Sequence, residues 1–203
     1  AFLVPGLTIN CFDERGEEVV HESFRFDGGV VDFVDWLSND GAVTDTWHIQ
    51  GEGTFTETVQ ALDPESGHLR AVETERICEV DCALRWGIGY DAQLESFVNI
   101  IATPKGGTHV AGFEQAVLKV LRSQVDKNAR KLKVSAKDGR PEKDDVLAGM
   151  TAVVTVRFPE PQFEGQTKEI LGTPQIRTVV ARVVGDWLES KFASSKRDDK
   201  QQT

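Results

Sequence analysis

Apolar and polar positions alternate along Leu7-Thr8-Ile9-Asn10-Cys11-Phe12 and stop at Asp13-Glu14-Arg15-Gly16, which predicts a strand and a turn; residues 21–26 resemble the returning strand. After Gly28-Gly29 the period changes. Val30, Phe33, Val34 and Leu37 fall on one helical face, and Asn39-Asp40-Gly41, residues that tolerate a left-handed backbone, are expected to end the helix. Residues 47–59 and 69–78 are rich in Thr, Val and aromatics and are split by the turn chemistry of Asp63-Pro64-Glu65-Ser66-Gly67. This predicts a long hairpin that runs on into a strand with Val80, Cys82, Leu84 and Trp86 on one side, broken by Gly87-Ile88-Gly89-Tyr90. Residues 97–103 are mostly apolar and read as a central strand.

Pro104-Lys105-Gly106-Gly107-Thr108 reads as a tight loop, with Thr108 as N-cap of a helix whose stripe is Val110, Phe113, Val117 and Val120. Residues 122–143 are polar and basic, contain Gly139 and Pro141, and read as a solvated excursion. In residues 151–158, Ala152, Val154, Val156 and Phe158 alternate with Val153, Thr155 and Arg157, the mark of a strand. Two prolines and a glycine make 159–168 a loop. Thr173-Pro174 then supplies N-cap and first-turn residues for a last helix with a stripe from Ile176 to Phe192, and the tail is polar from Ser194. The order is hairpin, strand, strand, helix, strand, helix. It predicts an α+β fold: a mixed β-sheet with a right-handed βαβ crossover through 108–121 and helices on one face.

Composition narrows the classes. The 203 residues suit one domain, or one domain with a small appendage. No apolar run is long enough to span a membrane, and the first residues lack a signal-peptide pattern. The chain begins mid-pattern without Met and reads as a piece of something longer. Three cysteines, Cys11, Cys78 and Cys82, fit a reducing cytosol, and no second Cys/His pair stands at zinc-ligand spacing, so no metal site is expected. His21, His48 and His68 are scattered, and His109 reads as a polar residue in the first turn of its helix. The net charge of −10 is uneven: residues 1–100 carry −15 and residues 101–203 carry +5. An acidic chain is a poor generic nucleic-acid binder, but a segregated basic half can meet phosphate locally.

Three motifs stand out, and the last two are specific. They are Phe97-Val98-Asn99-Ile100-Ile101-Ala102-Thr103-Pro104-Lys105-Gly106-Gly107-Thr108-His109 with Gly112-Phe113, Leu147-Ala148-Gly149-Met150-Thr151-Ala152-Val153-Val154-Thr155-Val156, and Pro161-Gln162-Phe163-Glu164-Gly165-Gln166-Thr167-Lys168. Together they resemble the transducer region of the B subunits of type IIA DNA topoisomerases, the gyrase and topoisomerase IV group. Ala1-Phe2-Leu3 with Gly6-Leu7-Thr8-Ile9, and Phe26-Asp27-Gly28-Gly29, look like the end of the preceding ATPase domain. The resemblance implies residues 1–40 as the C-terminal tail of a GHKL ATPase domain and 41–203 as a transducer of ribosomal-S5-domain-2-like fold.

The resemblance also implies a role for Gln166, Thr167 and Lys168. In this family the Gln and Lys of the loop reach into the neighbouring ATP site and contact the γ-phosphate, with Lys168 as the catalytic cation. The chemistry is sound on its own terms: a lysine ammonium is a compact charge with three donors, and phosphoryl transfer asks the protein mainly for positioning and charge stabilisation. ATP and Mg2+ are implied for the full-length subunit, held mainly by the ATPase domain; this stretch alone is expected to hold neither and to be inactive. Implied partners are double-stranded DNA, the topoisomerase A subunit and a second B subunit when ATP is bound, in the cytoplasm at the nucleoid and away from membranes.

Lys127, Arg130, Lys131 and Lys133 are the DNA-contact candidates within a basic segment, 119–143, that also holds Lys119, Arg122, Lys137, Arg140 and Lys143 against Asp126, Asp138 and Glu142. Cations there would bind phosphate without reading sequence. One departure stands out: relatives can carry Arg after the Gly-Phe of this helix, and here the residue is Glu114. Two other classes stay open: a sequence-independent nucleic-acid-binding module of S5-like fold with no ATP role, and an interaction domain docking a partner through the hairpin at 47–78. The extended hairpin and Glu114 lean the reading to the topoisomerase IV type.

Overall fold

The structure is a computed structural model that describes residues 1–62, 67–134 and 139–201. The turn expected at 63–67 falls outside the described residues except for Gly67, as do Lys137 and Asp138 of the basic segment. The elements run β1 (Ile9–Asp13), β2 (Val20–Phe24), α1 (Val30–Leu37), β3 (Trp47–Leu62), β4 (Leu69–Trp86), β5 (Gln93–Val98), β6 (Ile101–Ala102), α2 (Thr108–Leu132), α3 (Lys143–Leu147), β7 (Met150–Arg157) and α4 (Pro174–Gln201). β1 and β2 form an antiparallel pair, and the other strands form one sheet in the order β3-β4-β7-β5-β6. This is an α+β fold.

The chain divides into two compact units, residues 1–48, 82–94 and 148–153 in the first and 49–81, 95–147 and 154–203 in the second. In the first, Phe2 stacks on Phe26 and Phe33, with ring centroids 3.7 and 4.5 Å away. Val30 and Val34 bury the predicted face of α1. The helix ends one step sooner than the sequence indicates. Ser38, extended at φ −84°, is the C-cap, and its hydroxyl donates back to the Val34 carbonyl, so no left-handed residue is needed. Asp40 is drawn away instead. Its carboxylate accepts from the Gly89 amide at 2.9 Å and from Arg85 at 3.2 Å, and the Gly89 bond first, then Arg85, hold it below the ordinary carboxylate range.

In the second unit, odd-numbered residues of β3 face a helix layer. Ile49 and Phe55 are buried there, and a Cβ on Gly51 or Gly53 would lie 2.8 Å from Val183 or Val179 of α4. The even-numbered residues from 50 to 60 are exposed, so this strand has one covered face. α2 and α4 pack together through their first turns. The Thr108 hydroxyl donates to the Thr173 carbonyl, and a Cβ on Gly112 would stand 2.4 Å from the Arg177 carbonyl oxygen. Only glycine permits that approach. Phe113, Val117, Val120, Ile176, Val180, Val184 and Leu188 are all essentially inaccessible and form the core beneath.

Several expectations change. β7, not 97–103, is the central strand, and all its residues except Arg157 are buried. Residues 97–103 break into β5 and β6 at Asn99-Ile100, both left-handed at φ 46° and 67°. Val98 pairs with Ile101, so this is a two-residue hairpin of the primed type. A β-branched residue there is unusual. The turn is held by Asn99, whose side chain exchanges hydrogen bonds with the Phe158 backbone at 2.7 and 3.0 Å. Thr108 is not the N-cap of α2. Gly107 is, because the Thr108 hydroxyl is committed to Thr173. The first half of the excursion at 122–143 is helix: α2 continues to Leu132 and ends on Lys133, left-handed at φ 56°. Thr173 does precede α4, but its hydroxyl accepts from the Gln162 amide, tying the helix start to the loop before it.

His109 also departs from the sequence reading. It is fully buried, its Nε2 lies 3.2 Å from the Thr103 hydroxyl, and among the described residues its Nδ1 has no partner. Burial pushes its pKa down to about 4, so the ring is neutral at pH 7. Cys78 and Cys82 are buried, and burial together with Glu79 pushes the Cys78 thiol up to about 12, leaving it unreactive.

Candidate functional site

Gln166, Thr167 and Lys168 are brought together at the exposed tip of the 162–172 loop. Its base is a short ladder. Phe163 bridges Leu171 in antiparallel sense, the Glu164 amide donates to Ile170 and the Gly172 amide to Gln162. Leu171 also bridges Gly107 in parallel sense. Its amide donates to Gly106 while its carbonyl accepts from Thr108, and the Lys105 amide donates to Glu169. The glycine pair explains this closeness. Gly107 sits at φ 131°, and a Cβ there would meet the Leu171 nitrogen at 2.4 Å. The loop at 162–172 is thus moored, backbone to backbone, to the loop that opens α2.

At the tip, Gly165 and Lys168 are both left-handed, at φ 84° and 58°, and the Lys168 amide reaches the Gly165 carbonyl at a long 3.4 Å. A lysine in that region costs about 1–2 kcal/mol relative to ordinary backbone. The conformation aims its ammonium over the Phe163 ring, 5.9 Å from the centroid. Among the described residues no carboxylate pairs with that ammonium. Glu169 is engaged elsewhere: its Oε2 accepts from Lys105 Nζ at 2.6 Å and from the Thr167 hydroxyl at 3.3 Å. The Lys105 bond first, and then its charge, lower the Glu169 pKa. The tip therefore carries an unneutralised cation at Lys168 and a neutral amide at Gln166, donors suited to phosphate oxygens, while the Thr167 hydroxyl is spent on Glu169.

The other candidates lie along α2. Lys119, Arg122, Lys127, Arg140, Lys143 and Arg177 line a groove of about 840 Å³ with Glu114 and Asp126. Of the four predicted DNA contacts, only Lys127 is in it; Arg130 and Lys131 occupy the last turn of α2, and Lys133 caps it. Glu114 is paired with Lys143 at 2.7 Å and Asp126 with Arg140 at 3.2 Å, so both acids are compensated. Arg122 donates to the Pro141 carbonyl at 2.6 Å and Arg177 to Gln115 at 3.0 Å. The lining carries six cations against two anions, in a chain of net charge −10. Sequence reading missed Arg177, which comes to this groove only because α4 lies against α2. It also missed Lys105 and Glu169 as a pair, since no local pattern links residues so far apart. Tyr90 is exposed, and among the described residues no group of three His, Cys, Asp or Glu side chains is placed to hold a metal. No helix among them is long and apolar enough to cross a membrane.

The chain is similar to known proteins along nearly its whole length. The DNA gyrase B family model matches residues 29–201. The DNA gyrase B protein of Streptomyces coelicolor is 36% identical over 210 residues, covering 93% of this chain and 28% of that protein; its Campylobacter jejuni counterpart is 36% identical over 192 residues, covering 95% and 22%. The chain thus spans roughly a quarter of the length of these relatives. Among solved structures, the 43K ATPase domain of Thermus thermophilus gyrase B in complex with an aminocoumarin aligns with a TM-score of 0.68 and 28% identity, covering 97% of this chain and 46% of that one. These matches are gyrase B proteins, whereas the hairpin and Glu114 lean the sequence reading toward topoisomerase IV. With a family match that spans most of its length and all three motifs, the chain belongs to the DNA gyrase B family.

Proposed function

We propose that this chain is the transducer region of the ATPase subunit of a bacterial type IIA DNA topoisomerase. In this reading residues 1–40 close the GHKL ATPase domain, and 41–203 form an S5-domain-2-like transducer with a right-handed crossover through α2. Lys168 contacts the γ-phosphate of ATP held with Mg2+ by the ATPase domain, while Gln166 fixes its orientation. The observation that carries this is the tip geometry: an ammonium without a carboxylate partner among the described residues, on a left-handed residue, at the end of a loop tied by backbone bonds to the start of α2. Charge aimed in advance at the place where it develops lowers a phosphoryl-transfer barrier. Loss of the γ-phosphate removes the anchor, and a loop joined to two helix starts passes that change on to domain geometry, dimer-gate movement and strand passage.

The same reading gives the full-length subunit a second copy of itself, the topoisomerase A subunit and duplex DNA as partners, in the cytoplasm at the nucleoid, and leaves this stretch inactive by itself. The groove along α2 supports sequence-independent contact with the DNA backbone, through Lys119 and Lys127 first, because neither has a partner among the described residues. The test is ATP turnover of Lys168→Ala in the full-length subunit. Turnover falls about 10²–10³-fold, the cost of removing one donor aimed at developing charge. Near-normal turnover rejects the reading.

A further inference from the structure

The ammonium of Lys168 acts only if the turn carrying it holds its shape, yet within that turn its backbone is joined by a single long hydrogen bond, Lys168 to Gly165 at 3.4 Å. The side chains beside it supply the rest. Glu169 Oε2 accepts both from Thr167 Oγ1, inside the turn, and from Lys105 Nζ, on the loop that opens α2. Backbone bonds run alongside: the Lys105 amide donates to the Glu169 carbonyl at 3.2 Å, and the Leu171 amide to Gly106 at 3.0 Å. One carboxylate therefore staples the Gln166-Thr167-Lys168 turn to the neighbouring loop.

The same carboxylate is also a hazard. It belongs to the residue next to Lys168, and a free anion there would compete with phosphate for the ammonium and repel the nucleotide. Lys105 removes both effects by occupying it. We propose that Lys105 and Glu169 are positioning residues for phosphate contact by Lys168, Lys105 by holding and neutralising a carboxylate that is harmful when unpaired. The inference rests on the proposed γ-phosphate role and assigns its local control.

The pair is at the surface, with side-chain exposures of 62% for Lys105 and 36% for Glu169, so breaking it leaves the fold intact. The experiment measures steady-state ATP hydrolysis and thermal melting of the full-length subunit. The variants are Lys105→Ala, Glu169→Ala, the double alanine variant, the swap Lys105→Glu with Glu169→Lys, and Lys168→Ala as reference. Lys105→Ala lowers kcat about tenfold, through misplacement of the cation, and moves KM less than about twofold because the neighbouring domain holds most of the nucleotide. Adding Glu169→Ala to Lys105→Ala recovers part of the loss, a rescue that a merely structural contact would not give. The swap restores a cross-loop ion pair and recovers turnover in part, with melting unchanged throughout. Wild-type kcat in Lys105→Ala, or a loss that removal of Glu169 does not relieve, overturns the clamp. If Lys168→Ala is inactive while Lys105→Ala turns over normally, the clamp alone is wrong. If Lys168→Ala turns over normally, the phosphate role fails and the clamp with it.

Discussion

The loop at 162–172 and the basic face of α2 both offer cations to solvent, and they are built in opposite ways. The loop uses glycines, left-handed residues and backbone bonds to hold one ammonium in one place. The helix face gathers six cations, four of them engaged by Glu114, Asp126, the Pro141 carbonyl and Gln115, with Lys119 and Lys127 left over. The first arrangement suits a single phosphate at a defined point, and its failure should be abrupt. The second suits a line of phosphates at no defined register, and its failure should be gradual.

The widest separation expected between the two is in ATP turnover. Lys168→Ala should cost about 10²–10³-fold in the full-length subunit, whereas Lys127→Ala should leave turnover within about threefold, since it touches no transition-state charge. Equal losses would erase the distinction. Next comes the mooring of the loop. Gly107→Val places a side chain against the Leu171 backbone at φ 131° and should destabilise this chain by roughly 3 kcal/mol, read as a lowered urea midpoint. A neutral effect would mean that the close approach of the two loops is dispensable.

The buried first turn of α2 gives a pH signature of similar or smaller size. His109 titrates near 6.5 when unfolded and at about 4 when folded, so the folded state disfavours its protonation. Its share of stability is therefore complete above pH 6.5 and falls as pH drops toward 4, by about 3 kcal/mol at most. His109→Phe should flatten that part of the profile in urea titrations at about pH 7.5 and 4.5, on either side of the unfolded value; an unchanged difference between the two would show that the ring is not kept neutral. The smallest effect belongs to the helix face. Lys127→Gln should reduce the slope of log affinity for duplex DNA against log salt by about one, alike for every sequence. Arg130→Gln, outside the groove, should change it less.

Most strands and the apolar stripes of the helices were legible because they follow burial, which leaves a period in the sequence. β7 shows the limit, for a strand buried on both faces differs little from any apolar run, and its central place depends on its neighbours. The hairpin at Asn99-Ile100 was hidden because isoleucine argues against a left-handed turn, and the bond that compensates comes from Phe158. The polarity of the second half of α2 suggests a loop, although Lys, Arg, Gln and Ala are good helix formers and an exposed helix has no apolar stripe to show. The Gln166-Thr167-Lys168 turn was legible only as a motif. Its backbone geometry, and the partnership of Lys105 with Glu169, arise from chain crossings that leave no trace in local order.

Thr108 against Thr173 and Gly112 against Arg177 are two contacts with the same offset in sequence, one turn apart on each helix. α2 and α4 therefore begin side by side and point the same way. Each carries roughly half a positive elementary charge at its start, from amides without intrahelical partners. Both starts adjoin the loops that bear Lys105 and Lys168, so an anion drawn to this end meets a favourable potential from the main chain itself, which no side-chain substitution would abolish.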